Sequence, residues 1–264
     1  MKLNEKYDHD GFVLVKGLIS KDLCKDLKEK TKDLKPKLTI PFTNIAWGYG
    51  DVRNESPFDK IAQNDDIIKI VKELINCDPY LSHFLLVNKA AWVGPDVEWH
   101  QEVFNMDMYA PGIDKKKDWN KFIQTFIAID DHSLKNGCLK VFKSSHKAGI
   151  LNYEDIVNVN GSHKRRVTSN DLDELVKNHE ICDVEMESGD ALFFNHLIVH
   201  GSPSNLSPTS RLSALLQFYD GSLKFDTSKF ENYRNFRTDF IRNHHSVSIS
   251  KLDEYKVKLN DFKK

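Results

Sequence analysis

The sequence predicts a mainly β chain with a helical cover. Three observations carry this. Helical periodicity is concentrated near the front of the chain. From residue 81 onward the periodicity changes to short runs rich in β-branched and aromatic residues, bounded by Gly, Pro, Asn, Asp or Ser. The runs at 181–186, 191–200 and 211–219 have no helices between them, which disfavours a doubly wound parallel sheet. Helices first and strands in succession afterwards point to an α+β chain or a β-sandwich with a helical cover.

The elements follow in order. Residues 11–18, GFVLVKGL, read as a short strand. Residues 20–34 read as an amphipathic helix: Ser20 can cap it, and Leu23, Leu27 and Leu34 share a face. Residues 65–76, DDIIKIVKELIN, read as a second helix with acids in its first turn. The predicted strands are 81–92, 121–130, 137–143, 181–186, 191–200 and 211–219, with a helix inserted over 171–179. The tail from about 222 to 264 is charged and predicted part helical. The whole of 1–264 is expected to form one domain, with helices over about 20–76 and a β core over about 81–219.

Composition excludes several classes. The chain has 264 residues and a formal net charge of −1, so no global field recruits nucleic acid or an anionic membrane. No apolar run approaches the roughly 20 residues that span a bilayer. MKLNEKYDHDGF lacks the apolar core of a signal peptide, and NDFKK is not a peroxisomal address, so a cytoplasmic location is expected. Cys24, Cys77, Cys138 and Cys182 are scattered and read as reduced core residues.

Chemistry enters at EWHQEVFN, residues 98–105, where His100 and Glu102 stand two apart. With 11 His and 39 acidic residues in the chain, a His-x-acid pair arises about 1.6 times by chance, so the pair alone says little. The downstream context adds weight. A Gly-Asp turn at 189–190 leads into an apolar run ending at His200-Gly201-Ser202, and Arg211-Leu212-Ser213 opens the next strand. In a hairpin, His200 and Arg211 would point into the same barrel interior. A buried arginine is expensive unless an anion meets it. Two imidazoles and one carboxylate, His100, Glu102 and His200, make the facial triad of non-haem Fe(II) oxygenases.

Four segments in order carry a resemblance. They are DGFVLVKGLISKDLC (10–24), WHQE (99–102), NGCLKVFKSSHKAG (136–149) and GDALFFNHLIVHGSPSNLSPTSR (189–211). Together they resemble the phytanoyl-CoA dioxygenase-like family of Fe(II)/2-oxoglutarate oxygenases, over roughly residues 7–219. The resemblance implies a double-stranded β-helix, a cupin-like jelly-roll. It implies His100, Glu102 and His200 as iron ligands, and Arg211 with Ser213 as the anchor for the distal carboxylate of 2-oxoglutarate. Gln124 and Lys89 fall where relatives place further cosubstrate contacts. O2 is the co-reactant. The family usually carries Asp where this chain has Glu102, and Pro-Gly-Ser-His where it has Lys143 to His146.

Other residues have competing readings. His196 shares strand parity with His200, but only His200 precedes Gly-Ser at the right spacing from Arg211. His146 reads as a turn residue, and His244 and His245 as surface residues. Trp92, Trp99 and Phe104 line either the substrate pocket or the core. Residues 103–119 read as an aromatic lid or as a long connection, and HKRR at 163–166 as a solvated basic run.

The reaction expected is hydroxylation of an unactivated C–H of a small, polar or amphipathic metabolite by a monomer or homodimer. One alternative is desaturation, cyclisation or epimerisation at the same site. Another is a jelly-roll that binds metal or ligand without catalysis; such a protein, or a cupin isomerase, would not need Arg211.

Overall fold

The computed structural model describes residues 2–39, 46–105, 113–155 and 165–224. Helix α1 spans Leu3–Asp10. The sequence reading left it unassigned, because Leu3 and Tyr7 are its only apolar positions and its hydrophobic face is narrow. Local chemistry forms it instead. Glu5 accepts the Lys2 backbone N–H at 2.9 Å, and Gly11, at φ 84°, ends the helix by donating its N–H to the Tyr7 carbonyl. Strand β1 (Phe12–Val15) follows, then α2 (Lys21–Thr31). Ser20 Oγ accepts the Leu23 N–H at 3.2 Å, and Cys24, Leu27 and Thr31 form the buried stripe. After β2 (Pro36–Thr39), β3 (Ala46–Tyr49) and the short α3 (Asp59–Ala62), α4 spans Asp65–Ile75. Asn64 caps α4, and Ile67, Val71 and Leu74 are buried along it.

The remaining strands are β4 (Pro79–Lys89), β5 (Val97–His100), β6 (Phe122–Ala128), β7 (Leu139–Phe142), β8 (Tyr153–Asp155) and β9 (Arg165–Val167), then β10 (Ile181–Val184), β11 (Ala191–Asn195), β12 (His200–Ser202) and β13 (Arg211–Asp220). A helix over Ser169–Asn178 precedes β10. Seven strands form one antiparallel sheet in the order β1-β11-β6-β13-β4-β3-β2. Four form a second, β10-β7-β12-β5, and β8 pairs with β9. This is the jelly-roll expected from the sequence. Period-2 alternation divides the larger sheet's side chains into two faces. Val13, Phe84, Phe193 and Leu216 face α2 and α4, where Leu27, Ile67 and Val71 complete a core. Phe126, Leu192 and Phe194 face the smaller sheet and pack on Leu139, Val141 and Val184.

One expectation is corrected. Residues 191–200 are not a single strand, and His200 and Arg211 do not form a hairpin. The run breaks after Asn195, whose side chain accepts the Leu197 N–H at 2.8 Å while its carbonyl accepts the Ile198 N–H at 3.0 Å. β11 lies in the larger sheet and β12 in the smaller. The polar pair at the break, Asn195-His196, is buried with the rest of residues 190–201, so the crossover does not show as an exposed polar turn. The four cysteines are free, as expected, with Cys24 and Cys138 buried. Most of the predicted helical tail, from 225 onward, lies outside the described residues, as do residues 106–112 of the predicted lid.

Asp10 ties α1 to the rest of the molecule. It accepts hydrogen bonds from Lys6 Nζ and His9 Nδ1, lies 3.6 Å from Lys143 Nζ, and its carbonyl accepts the Ser144 N–H. Burial raises its pKa, but the hydrogen bonds and the charges of Lys6 and Lys143 outweigh this and hold it down to about 2. A folded pKa below the unfolded value gives stability that is present above about pH 4 and is lost as pH falls through the folded value. Asp10→Asn should therefore cost about 2 kcal/mol at pH 7, and the difference from the natural protein should vanish near pH 2 in urea titrations.

Candidate metal centre

The pairing of β12 with β5 builds the site. Its register sets His200 directly opposite His100, and their ring centroids lie 4.1 Å apart. Each ring is oriented by the carbonyl two residues before it: His100 Nδ1 donates to Glu98 O at 2.6 Å and His200 Nδ1 donates to Ile198 O at 3.1 Å. A carbonyl can only accept, so the proton sits on Nδ1 and the Nε2 lone pair is left for a metal. Glu102 opens the 3-10 turn Glu102–Asn105 that follows β5. Its Oε1 lies 3.4 Å from His200 Nε2 and 3.9 Å from His100 Nε2. One donor atom from each of the three side chains falls within 4.8 Å of the other two.

The charges suit a cation. Burial would raise the Glu102 pKa, but the two histidines beside it outweigh this and hold it well below the usual carboxylate range. Burial lowers the pKa of His200. Ligand bonds of about 2.1 Å place neighbouring donors on one ion about 3 Å apart, close to the separations found here. The residues present therefore fit a divalent transition metal of the type that two imidazoles and a carboxylate hold.

Gln101 points the opposite way from its neighbours and is fully buried. Its Nε2 donates to Leu197 O at 2.6 Å and Gly149 O at 2.9 Å, and its Oε1 accepts the Leu151 N–H at 3.0 Å. It thus pins the end of β5 to the β11–β12 crossover.

A second polar centre lies in the larger sheet. Arg211 and Lys89 are direct partners across β13 and β4, both buried. Like charges directly opposite one another destabilise a sheet unless something compensates. No ion pair among the described residues involves either. Arg211 Nη1 donates to Gly137 O, and Arg211 Nε has no partner. Gly137 sits at φ 75°, and a Cβ there would lie 2.4 Å from Pro203 O, so the Asn-Gly turn that presents this carbonyl requires glycine. Lys89 Nζ donates to Ser202 Oγ at 2.7 Å and to Pro203 O, two and three residues beyond His200. Burial first, and Arg211 second, push Lys89 down to about 6. Ser213 Oγ lies 3.1 Å from His132 Nε2, while His132 Nδ1 is buried without a partner.

The other sequence candidates are placed as follows. Gln124 faces the interior on β6, 1% exposed. His196 is buried against Phe122 and lies outside the three-residue cluster. His146 donates to Asp8 O from the turn after β7. Trp92 is 62% exposed, so it belongs to the surface rather than to a pocket or core. Trp99 packs on Phe142 at 4.7 Å, and Phe104 is buried against Tyr153. Arg165 pairs with Asp155 and Arg166 with Glu154, so these two residues of HKRR are neutralised. His244 and His245 lie outside the described residues. The sequence reading assigned no role to Gln101, His132 or Gln217. Gln217 was detectable by parity, six residues after Arg211 on the same face of one strand.

The fold is a cupin-type jelly-roll, and its paired imidazoles with Glu102 form a cluster that could hold a metal ion. A family model described as Phytanoyl-CoA dioxygenase (PhyH) matches residues 7–213, and the chain belongs to that family. It is similar to the peroxisomal phytanoyl-CoA dioxygenase of Bos taurus, with 23% identity over 258 residues covering 89% of this chain and 74% of the relative. Among solved structures it is similar to EctD from S. alaskensis with 2-oxoglutarate and 5-hydroxyectoine, at TM-score 0.69, with 19% identity over 84% of this chain and 76% of that one. It is also similar to the epimerase SnoN in complex with Fe3+, alpha ketoglutarate and nogalamycin RO, at TM-score 0.66, with 16% identity over 84% of both chains. At these identities the structural likeness carries the fold.

Gln101→Leu removes three hydrogen bonds, one buried and two part-buried, and leaves three backbone groups without that partner. It should destabilise the protein by about 3 kcal/mol in chemical denaturation, and should weaken metal binding measured separately by competition with a chelator.

Proposed function

We propose that the protein is an Fe(II)- and 2-oxoglutarate-dependent oxygenase that hydroxylates a C–H bond of a small metabolite, within a single domain. One observation carries the reading: a convergent His-Glu-His cluster on the smaller sheet is accompanied by a buried guanidinium on the larger sheet that no carboxylate among the described residues meets. Bound Fe(II) would supply the redox chemistry that couples decarboxylation of 2-oxoglutarate by O2, giving succinate and CO2, to insertion of the second oxygen atom into the C–H bond. His100, Glu102 and His200 would hold the ion and would leave it free to take further ligands. Arg211 takes the distal carboxylate of 2-oxoglutarate, since its planar fork matches a carboxylate in two-point contact. Ser213 and Lys89 add donors to the same carboxylate end. The surrounding Phe126 and Phe194 exclude water from the reacting centre.

A second reading keeps the site and changes the outcome to desaturation, cyclisation or epimerisation. Its support is that the fold is shared with an epimerase as well as with EctD. A non-catalytic jelly-roll is less well supported, because it would leave the buried Arg211–Lys89 pair unexplained. No helix among the described residues is long and apolar enough to cross a membrane. The partner in this reading is a small molecule in the cytoplasm, met by a monomer or homodimer.

The test is succinate formation with Fe(II), ascorbate and 2-oxoglutarate over a panel of metabolites. His200→Ala should abolish iron binding by metal analysis. Arg211→Ala should raise KM for 2-oxoglutarate at least about 30-fold, the equivalent of roughly 2 kcal/mol for a lost buried charge contact. If neither variant changes these readouts, the assignment is wrong.

Lys89 gives an independent check. In the empty site its pKa is about 6, and an arriving carboxylate favours the protonated form. Binding of 2-oxoglutarate at pH 7.5 should therefore take up a proton, visible by calorimetry in two buffers of unequal ionisation enthalpy. Lys89→Met should remove that uptake.

A further inference from the structure

Two amides stand in the interior wall with no protein group to meet them. Gln124 on β6 and Gln217 on β13 are direct cross-strand partners, each 1% exposed. Gln124 Oε1 and Gln217 Nε2 are both buried without a hydrogen-bond partner, and the two do not bond to each other. Gln217 also faces His83 on β4, whose Nδ1 lies 3.1 Å from Ser82 Oγ, and neither open amide atom is bonded to it. Along the same face, Leu215 pairs with Phe126 on one side and Tyr219 with Phe122 on the other. Laterally, Gln124 pairs with Phe194, whose ring packs 4.7 Å from His200. The amide pair is thus flanked mainly by aromatic and aliphatic side chains, with His83 beside it, one strand away from a residue that packs on His200.

Its position separates it from the anion site. Gln217 lies six residues from Arg211 along β13, about 20 Å of extended strand. That is longer than 2-oxoglutarate, a five-carbon chain. The open atoms are also of opposite kinds, one acceptor and one donor. A carboxylate would satisfy Gln217 Nε2 but would face Gln124 Oε1 oxygen to oxygen.

We propose that Gln124 and Gln217 form the specificity subsite for the oxidised substrate, and that it takes a neutral group which both donates and accepts a hydrogen bond, of which a carboxamide is the simplest. The inference rests on the oxygenase reading and deepens it, moving Gln124 from cosubstrate to substrate. The substrate N–H donates to Gln124 Oε1, and its carbonyl accepts from Gln217 Nε2. A site whose buried polar groups expect partners discriminates strongly against an analogue that lacks one of them.

The experiment uses the full chain loaded with Zn(II) and 2-oxoglutarate, and ligand-observed NMR with two matched probes. N-methylacetamide carries donor and acceptor; 2-butanone replaces the N–H with CH2. N-methylacetamide should bind at least five-fold more tightly. Gln217→Met and Gln124→Met should each remove that preference and leave the melting temperature equal or higher, since each removes an orphaned amide. A purely structural role predicts a lower melting temperature and an unchanged preference, and would overturn the proposal. Equal binding of the two probes, with 2-oxoglutarate bound, overturns the amide subsite alone. Failure of 2-oxoglutarate to bind the natural Zn(II) protein overturns the oxygenase reading and this inference with it.

Discussion

The register of β12 on β5 is the constraint on which the metal cluster depends. β12 has only three residues, and a slip of one would turn His200 to the other face of its sheet. Three residues of ladder cannot specify register by themselves, so the crossover before them does it. The Val199 N–H donates to Ser145 Oγ at 2.8 Å, its carbonyl accepts the Phe142 N–H at 2.9 Å, and Gln101 holds the Leu197 carbonyl. Ser145 is fully buried, so the Lys-Ser-Ser-His segment that departs from the family pattern still supplies a side chain that fixes β12. The histidines converge because polar groups outside the cluster hold the backbone that carries them.

The cations of the fold divide into two kinds. Arg53 is buried beside Asp51, with Arg53 Nη2 donating to Asp51 Oδ2 at 2.6 Å and Arg53 Nη1 donating to Leu81 O at 2.7 Å. Desolvation there is offset within the chain itself. Arg211 and Lys89 are buried as deeply but face each other with no carboxylate among the described residues paired to either, so burial and Arg211 push Lys89 toward its neutral form. The buried guanidinium and the His-Glu-His cluster thus sit on different sheets, Arg211 on β13 of the larger and the two histidines on β12 and β5 of the smaller.

Much of this was legible in the sequence, for identifiable reasons. α2 and α4 each carry a capping side chain and a one-sided apolar stripe, and both form nearly where the pattern puts them. α1 was invisible because its termini, not a hydrophobic face, stabilise it. The break between β11 and β12 was invisible because both halves are buried on all sides. His200 was still preferred to His196, because the argument used its Gly-Ser neighbours and its distance from Arg211, and both survive the loss of the hairpin. Gln101 and His132 act through contacts with residues far away in the chain, Gly149 and Ser213 among them, which local pattern cannot foresee.

The position of Glu102 shows how the departure from aspartate is accommodated. On a continuing strand, residues two apart would share a face and a short side chain would serve. Here β5 stops at His100, and Glu102 begins a 3-10 turn held by the Val103 N–H donating to His196 O at 3.2 Å. The longer side chain brings Oε1 to 3.4 Å from His200 Nε2 from that backbone position. His196, buried outside the three-residue cluster, thus anchors through its carbonyl the turn from which Glu102 reaches that cluster.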